Sequence, residues 1–344
     1  MTDSAVRAGR CQVHSKTVLS FVSALMILLL YAAYGHIGKA GNHLKTDYMD
    51  REQWNKVMYN ATESHAVKQK QMAAAVKKVR LLCLILTMEK DLNTKAAAVN
   101  KTWATRCDKH FYVIYSTQKR HDFLNVAVPD DRHKLVFKMR KAYEEVYQKY
   151  INDFDFLLKA DDDTYVIVEN LKYLLWHHDA NKPGYLGFHF NKFVNSGYMS
   201  GGAGYVISNR GLRNLVERGY QNGVCELQKR KDDPENSEDI ETGRCLETAG
   251  VPVWTSLDLH GRETFHAYPL ERHLFGNLPQ YIYSWAKHPI RNGKECCSRY
   301  AISYHYVKPD AIYFLHHVLY ETTVFGLADK MEINGPVFKF DRIE

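Results

Sequence analysis

Glycine and proline are scarce in this chain, 20 and 9 among 344 residues. That is too little for a collagen-like repeat or a low-complexity linker protein. Neither sign of charge dominates: 46 Lys and Arg face 39 Asp and Glu, a formal net charge of +7. With so modest a surplus, and with its tyrosines scattered, the chain offers no case for a nucleic-acid partner, and none is expected. No G-x-G-x-x-G follows the first predicted strand and no G-x-x-x-x-G-K-[ST] occurs, which argues against a dinucleotide fold or a phosphate-binding loop of those kinds. No two cysteines form the C-x-x-C pair of a zinc site, and no internal repeat is visible. Apolar runs of membrane length are missing but for one, so a polytopic membrane protein is excluded. What remains, 45% hydrophobic and 12% aromatic residues, is enough to bury a core.

The exception is TVLSFVSALMILLLYAAY, residues 17–34, which carries no charge and follows Arg7, Arg10 and Lys16. About 18 residues at 1.5 Å rise just span a bilayer core. The reading is a cytosolic tail over 1–16, a signal-anchor over 17–34 and a lumenal body, with the basic residues on the inner side. A cleaved signal peptide is the alternative, since Ala33 and Gly35 loosely fit a small-residue cleavage pattern, but the run exceeds an ordinary signal core. Cys11 lies before the run, whereas Cys83, Cys107, Cys225, Cys245, Cys296 and Cys297 lie after it. An even number suits an oxidising compartment, but six cysteines allow 15 connectivities, and buried free thiols are the competing reading. The sequons at Asn60 and Asn100 are glycosylation candidates on the same side.

Residues 35–78 are polar and read as a stem. Apolar runs at 79–86, 110–115 and 154–158 alternate with helical patterns at 93–106, 134–150 and 168–178, which predicts an α/β fold with a mainly parallel sheet flanked by helices. Ligands of such sheets sit at the C-terminal ends of the strands. There the sequence places Asp161, Asp162 and Asp163 in a row. Three adjacent carboxylates at the end of a buried strand repel one another unless a cation or solvent relieves them, and hard oxygens suit Mg²⁺ or Mn²⁺ shared with a diphosphate.

The segment LLKADDDTYVIVENL resembles the metal-binding stretch of the β1,3-glycosyltransferases with a GT-A fold. Ser200-Gly201-Gly202-Ala203-Gly204-Tyr205-Val206, Glu238-Asp239-Ile240-Glu241-Thr242-Gly243-Arg244-Cys245-Leu246 and Cys296-Cys297-Ser298 followed by Ala301-Ile302-Ser303-Tyr304-His305-Tyr306 resemble the core 1 β1,3-galactosyltransferase group of that family. The resemblance runs from about residue 80 to residue 307. It implies a GT-A catalytic domain over 79–320, with 321–344 a C-terminal extension. It also implies a type II Golgi membrane protein, a homodimer, and inverting transfer of galactose from UDP-galactose to the 3-hydroxyl of a GalNAc-bearing glycoprotein. A Fringe-like enzyme with another donor or acceptor is the second reading, and a non-catalytic glycan-binding or chaperone-like protein the third.

By the same resemblance, Asp163 and His305 are metal ligands with Asp161 bridging toward the ribose or sugar. Two carboxylates with one imidazole favour Mn²⁺ as cofactor over Ca²⁺. Asp161, Asp162, Gly201 and Gly202 are assigned to the nucleotide sugar, since glycine lets backbone approach hydroxyls and phosphates. Asp239 is the expected base, with Glu238 next to it as the alternative and as an acceptor contact, and Trp285 offers an aromatic face to the acceptor ring. Departures from the pattern are Arg299, the Tyr281-Ile282-Tyr283-Ser284 stretch and Thr87-Met88-Glu89. The expected disulfides are Cys83 with Cys107, Cys225 with Cys245, and the adjacent Cys296 with Cys297. The first two join cysteines close in sequence, while the third requires a strained peptide.

Overall fold

A computed structural model describes residues 70–225 and 237–324. The expected tail, the signal-anchor over 17–34, the stem up to residue 69, Asn60 and residues 325–344 lie outside the described residues. Among the described residues no helix is long and apolar enough to cross a membrane.

The central sheet has six strands: β1 (Leu81–Leu86), β2 (Lys109–Ile114), β3 (Phe123–Asn125), β4 (Phe156–Asp161), β6 (Tyr185–Gly187) and β9 (Tyr205–Ser208), in the order β3-β2-β1-β4-β9-β6. β1 runs parallel to β2 and β4, and β2 to β3, whereas β9 is antiparallel to both of its neighbours. The sheet is therefore mixed and mainly parallel, as the strand–helix alternation predicts. β1, with the sequence LLCLIL, is apolar at every position because both faces are covered. Leu81, Cys83 and Ile85 join one core, with Leu158 and Ala160 of β4, while Leu82 and Leu84 join the other with Leu157. Over that second face lies α2 (Leu135–Tyr150), whose Val136, Met139, Tyr143 and Val146 are buried at helical spacing.

Two differences from the sequence reading bear on the site. The strand expected to end at Leu158 continues to Asp161, so the first carboxylate is part of the sheet rather than of the turn. The predicted helix over 93–106 is instead α1 (Lys95–Asn100) and a separate 3₁₀ turn at Ala104–Arg106. Cys83 bonds Cys107, Cys225 bonds Cys245 and Cys296 bonds Cys297. The first ties β1 to the segment entering β2. Asn100 ends α1, half-buried, with its side-chain oxygen 3.4 Å from the Tyr112 hydroxyl.

A three-stranded sheet beside the main one decides which residues meet. β5 (Tyr165–Val166) pairs antiparallel with β11 (Ser303–Tyr304), which runs parallel to β10 (Phe265–His266). This pairing brings the residue after β11, His305, back to the turn before β5. The Val307 amide donates to the Asp163 carbonyl at 2.9 Å and the His305 amide to the His266 carbonyl at 3.1 Å. The remaining short pair is β7 (His189–Phe190) with β8 (Tyr198–Met199).

Candidate active site

Asp161, Asp163 and His305 come together at the C-terminal end of β4, with one ligand atom from each within 4.8 Å of the others. His305 Nε2 lies 3.3 Å from Asp163 Oδ1 and 3.9 Å from Asp161 Oδ2. Burial acts to raise the Asp163 carboxyl, but His305 and Lys95 outweigh it and hold the group below its ordinary value. Asp162 turns elsewhere: it accepts a hydrogen bond from Thr87 Oγ1 at 2.7 Å and faces Lys95 Nζ at 3.5 Å, and burial pushes it up to about 6. The triplet thus divides into two candidate ligands and one internally held carboxyl. Residues apart by two on a strand share a face, and Asp161 and Lys159 do so here.

Gly202 makes room for the histidine. A Cβ placed on it would lie 1.9 Å from His305 Cε1, so the imidazole packs directly against backbone that only glycine leaves open. Thr164 Oγ1 and Ser303 Oγ donate to the carbonyls of Gly202 and Ala203 at 2.7 and 2.5 Å, pinning this loop from both flanking elements. Gly204 has a φ of +78°, the left-handed conformation that turns the loop into β9. The glycines assigned to the nucleotide sugar therefore have a first role in shaping the metal-side wall.

Asp239 lies in the first turn of α5 (Glu238–Thr248). Its Oδ2 accepts from the Gly201 amide and its Oδ1 from the Ile240 amide, each at 3.0 Å. Burial and the neighbouring Glu238 charge push Asp239 up to about 6, against the stabilising Gly201 amide and Lys159. A carboxylate in that range is ionised at neutral pH and still basic enough to take a proton.

Glu238 occupies a different environment from its neighbour. It accepts from the Tyr205 hydroxyl at 2.5 Å and Thr242 Oγ1 at 3.1 Å on one oxygen, and its other oxygen is 3.3 Å from Lys159 Nζ. Tyr205 in turn shares a 2.6 Å hydrogen bond with Tyr143 of α2. Glu238 is an internal brace with both oxygens engaged.

Lys159 received no role from the sequence, although a lysine inside an otherwise apolar strand is itself a signal that a buried partner exists. It is 2% exposed. Its ammonium donates to Asp161 Oδ1 at 2.7 Å and to the Gly201 carbonyl at 3.1 Å, besides facing Glu238. Burial opposes the charge, yet Asp161 and Glu238 raise Lys159 above the ordinary lysine value.

Trp285 ends α7 (Gln280–Trp285) and is half-buried against Phe193, Phe190 and Tyr281, with Lys192 Nζ 4.8 Å above its ring. A row of ring contacts leads from it through Tyr281, Tyr268 and Tyr306 to His305: the Tyr268 and Tyr281 hydroxyls are 3.1 Å apart, and the rings of Tyr268 and Tyr306 and of Tyr306 and His305 are 5.1 and 3.8 Å apart. Tyr281, which opens the departing Tyr281–Ser284 stretch, and Trp285 after it thus belong to one aromatic strip reaching the metal side. Arg299 is exposed.

The Fringe-like family matches residues 77–323. The chain is 37% identical over 254 residues to glycoprotein-N-acetylgalactosamine 3-beta-galactosyltransferase 1 of Xenopus laevis, covering 73% of this chain and 69% of that protein. It is 26% identical over 191 residues to the beta-1,3-glucosyltransferase of Mus musculus, covering 54% of this chain and 37% of that one. Identity to the chondroitin sulfate glucuronyltransferase of Homo sapiens is 29% over 133 residues, 38% of this chain and 17% of that one. All three are named as glycosyltransferases. With the acidic strand end, the histidine from the neighbouring sheet and a match over the greater part of its length, the chain belongs to the Fringe-like family.

Proposed function

We propose that the protein is an inverting β1,3-galactosyltransferase that moves galactose from UDP-galactose to the 3-hydroxyl of GalNAc α-linked to Ser or Thr, the core 1 step of mucin-type O-glycosylation. The observation that carries this reading is the joining of Asp161, Asp163 and His305 with the loop that holds Asp239, in a chain 37% identical to a protein named glycoprotein-N-acetylgalactosamine 3-beta-galactosyltransferase 1.

The donor set, two carboxylates and an imidazole nitrogen without thiolate, fits Mn²⁺, and Asp163 and His305, with Asp161, are the residues that would hold it. When bound, the ion offsets negative charge on the departing diphosphate. The Asp239 carboxylate takes the acceptor's 3-hydroxyl proton as the oxygen bonds to the anomeric carbon, and the electron pair of the broken bond leaves with UDP. Gly201 and Ile240 amides keep that carboxylate oriented. The strip from Tyr306 to Trp285 offers ring faces to the acceptor sugar.

The polar stem, the uncharged run at 17–34 and the three disulfides support a type II, Golgi-lumenal setting. A homodimer is in keeping with the family resemblance. UDP release measured with UDP-galactose, UDP-glucose, UDP-GlcNAc and UDP-glucuronate, with and without a GalNAc-α-Thr peptide, tests the proposal. Acceptor-dependent release with UDP-galactose is expected. Preference for another donor would move the protein to a related transferase, and no release with any donor would make it a binding protein.

A further inference from the structure

We propose that Lys159 is a positioning residue that joins the metal side of the site to the base side through a single buried ammonium. The inference rests on the transferase reading above and goes beyond it, since neither the sequence pattern nor that reading gives Lys159 a role. An ammonium has three N–H donors and no other chemistry to offer. Here three oxygens surround it: Asp161 Oδ1 at 2.7 Å, the Gly201 carbonyl at 3.1 Å and Glu238 Oε2 at 3.3 Å.

Each of these acceptors controls a different part of the site. Fixing Asp161 Oδ1 leaves Oδ2 turned toward His305. The carbonyl of Gly201 belongs to the residue whose amide holds Asp239 Oδ2 at 3.0 Å. Glu238 begins the helix that carries Asp239, and it is braced on its other oxygen by Tyr205 and Thr242. Strand β4, the glycine loop and helix α5 therefore meet at one atom. With 2% exposure, Lys159 cannot exchange these partners for water or reach a substrate itself. Its effect must pass through Asp161 and Gly201.

The competing role is that Lys159 only neutralises the buried Glu238. Lys159→Met tests the difference poorly on its own, because it strands a buried carboxylate and can prevent folding. The double variant Lys159→Met/Glu238→Gln removes both charges of that pair, and the carbonyl oxygen of the introduced amide can still accept from Tyr205. Measured on the full-length protein against the parent, the double variant is expected to keep the parent circular-dichroism spectrum. It should also bind Mn²⁺ with UDP about 10- to 100-fold more weakly by calorimetry, the scale for losing a group that orients a metal ligand. Its kcat should fall by roughly 10²-fold, the scale of an ångström-sized misplacement.

Lys159→Met, if it folds, should show the same two losses. A double variant that binds Mn²⁺–UDP and transfers within about threefold of the parent would overturn the proposal, because charge neutralisation would then be the whole role. A double variant that fails to fold would overturn it too, assigning Lys159 to the fold itself. If the parent releases no UDP from any donor, the transferase reading fails, which is a separate result from parental activity with an unaffected double variant.

Discussion

Gly202→Ala is a small change that should separate folding from function. Gly202 does not adopt a positive φ, so alanine meets no backbone penalty there. Its Cβ would instead lie 1.9, 2.2 and 2.3 Å from the Cε1, Nδ1 and Nε2 atoms of His305. Ordinary carbon contacts begin near 3.5 Å, so the ring must retreat by roughly 1.5 Å. The ring is the free end of a side chain, and it can retreat at little cost to the fold. Metal bonds, by contrast, tolerate about 0.2 Å. His305 Nε2, now 3.3 Å from Asp163, would leave the donor set and metal affinity should fall by about 100-fold, the upper end of what losing a contact that orients a ligand costs.

At ligand 100-fold above the parent's Kd, binding stabilises the parent by about 2.7 kcal/mol and would stabilise the variant by only about 0.4 kcal/mol. Thermal unfolding with and without saturating Mn²⁺ and UDP reads this out. The parent should shift by several degrees, while the variant should share its ligand-free midpoint and shift little. A variant that shifts as far as the parent refutes the claim that Gly202 exists to seat His305.

Asp239→Asn should leave Mn²⁺–UDP binding within a few fold while lowering transfer by roughly 10²-fold or more, checked by calorimetry and single-turnover rates. With Asp239 pushed up to about 6 and the anion as the active form, kcat/KM should fall as pH drops through that value and lose about tenfold between pH 7 and pH 5. An ordinary aspartate would lose little over that range, and Asp239→Asn should lack this limb. Trp285→Ala should raise the acceptor KM several-fold with UDP binding unchanged, as shown by paired acceptor and donor titrations. Replacing Cys83 and Cys107 together by alanine should lower stability by about 3 kcal/mol for a loop of 24 residues, seen in urea unfolding.

Three of the six central strands, β1, β2 and β4, are legible because they are continuous apolar runs, and the acidic triplet is legible because carboxylates at the end of such a run need a reason. β3, three residues long, is too short for any periodicity to show. β6 and β9 are three and four residues long and go unread for the same reason, and nothing in the sequence of β9 marks it as antiparallel to its neighbours. Motif position favours Asp239 over Glu238 as the base, but it does not show how differently the two are surrounded. Successive residues on a helix diverge by about 100°, and only the packing reveals that one faces Tyr205 and Lys159 and the other the Gly201 amide. The sequence reads Gly201 and Gly202 as backbone open to a ligand; the structure adds that a Cβ on either would first meet Asp239 or His305. Thr87, which opens the Thr87-Met88-Glu89 departure, donates its hydroxyl to Asp162 at 2.7 Å, a contact that no spacing in the sequence announces.

The most direct measurement is the structure of the product. The full-length protein is incubated with UDP-galactose, Mn²⁺ and a GalNAc-α-Thr glycopeptide, and the purified glycopeptide is examined by two-dimensional NMR for anomeric configuration and linkage position. The account predicts a β-linked galactose on O3 of GalNAc, formed by the parent and lost in Asp163→Ala and Asp239→Asn. Galactose in α linkage, at another hydroxyl, or formed equally well by those variants would contradict it.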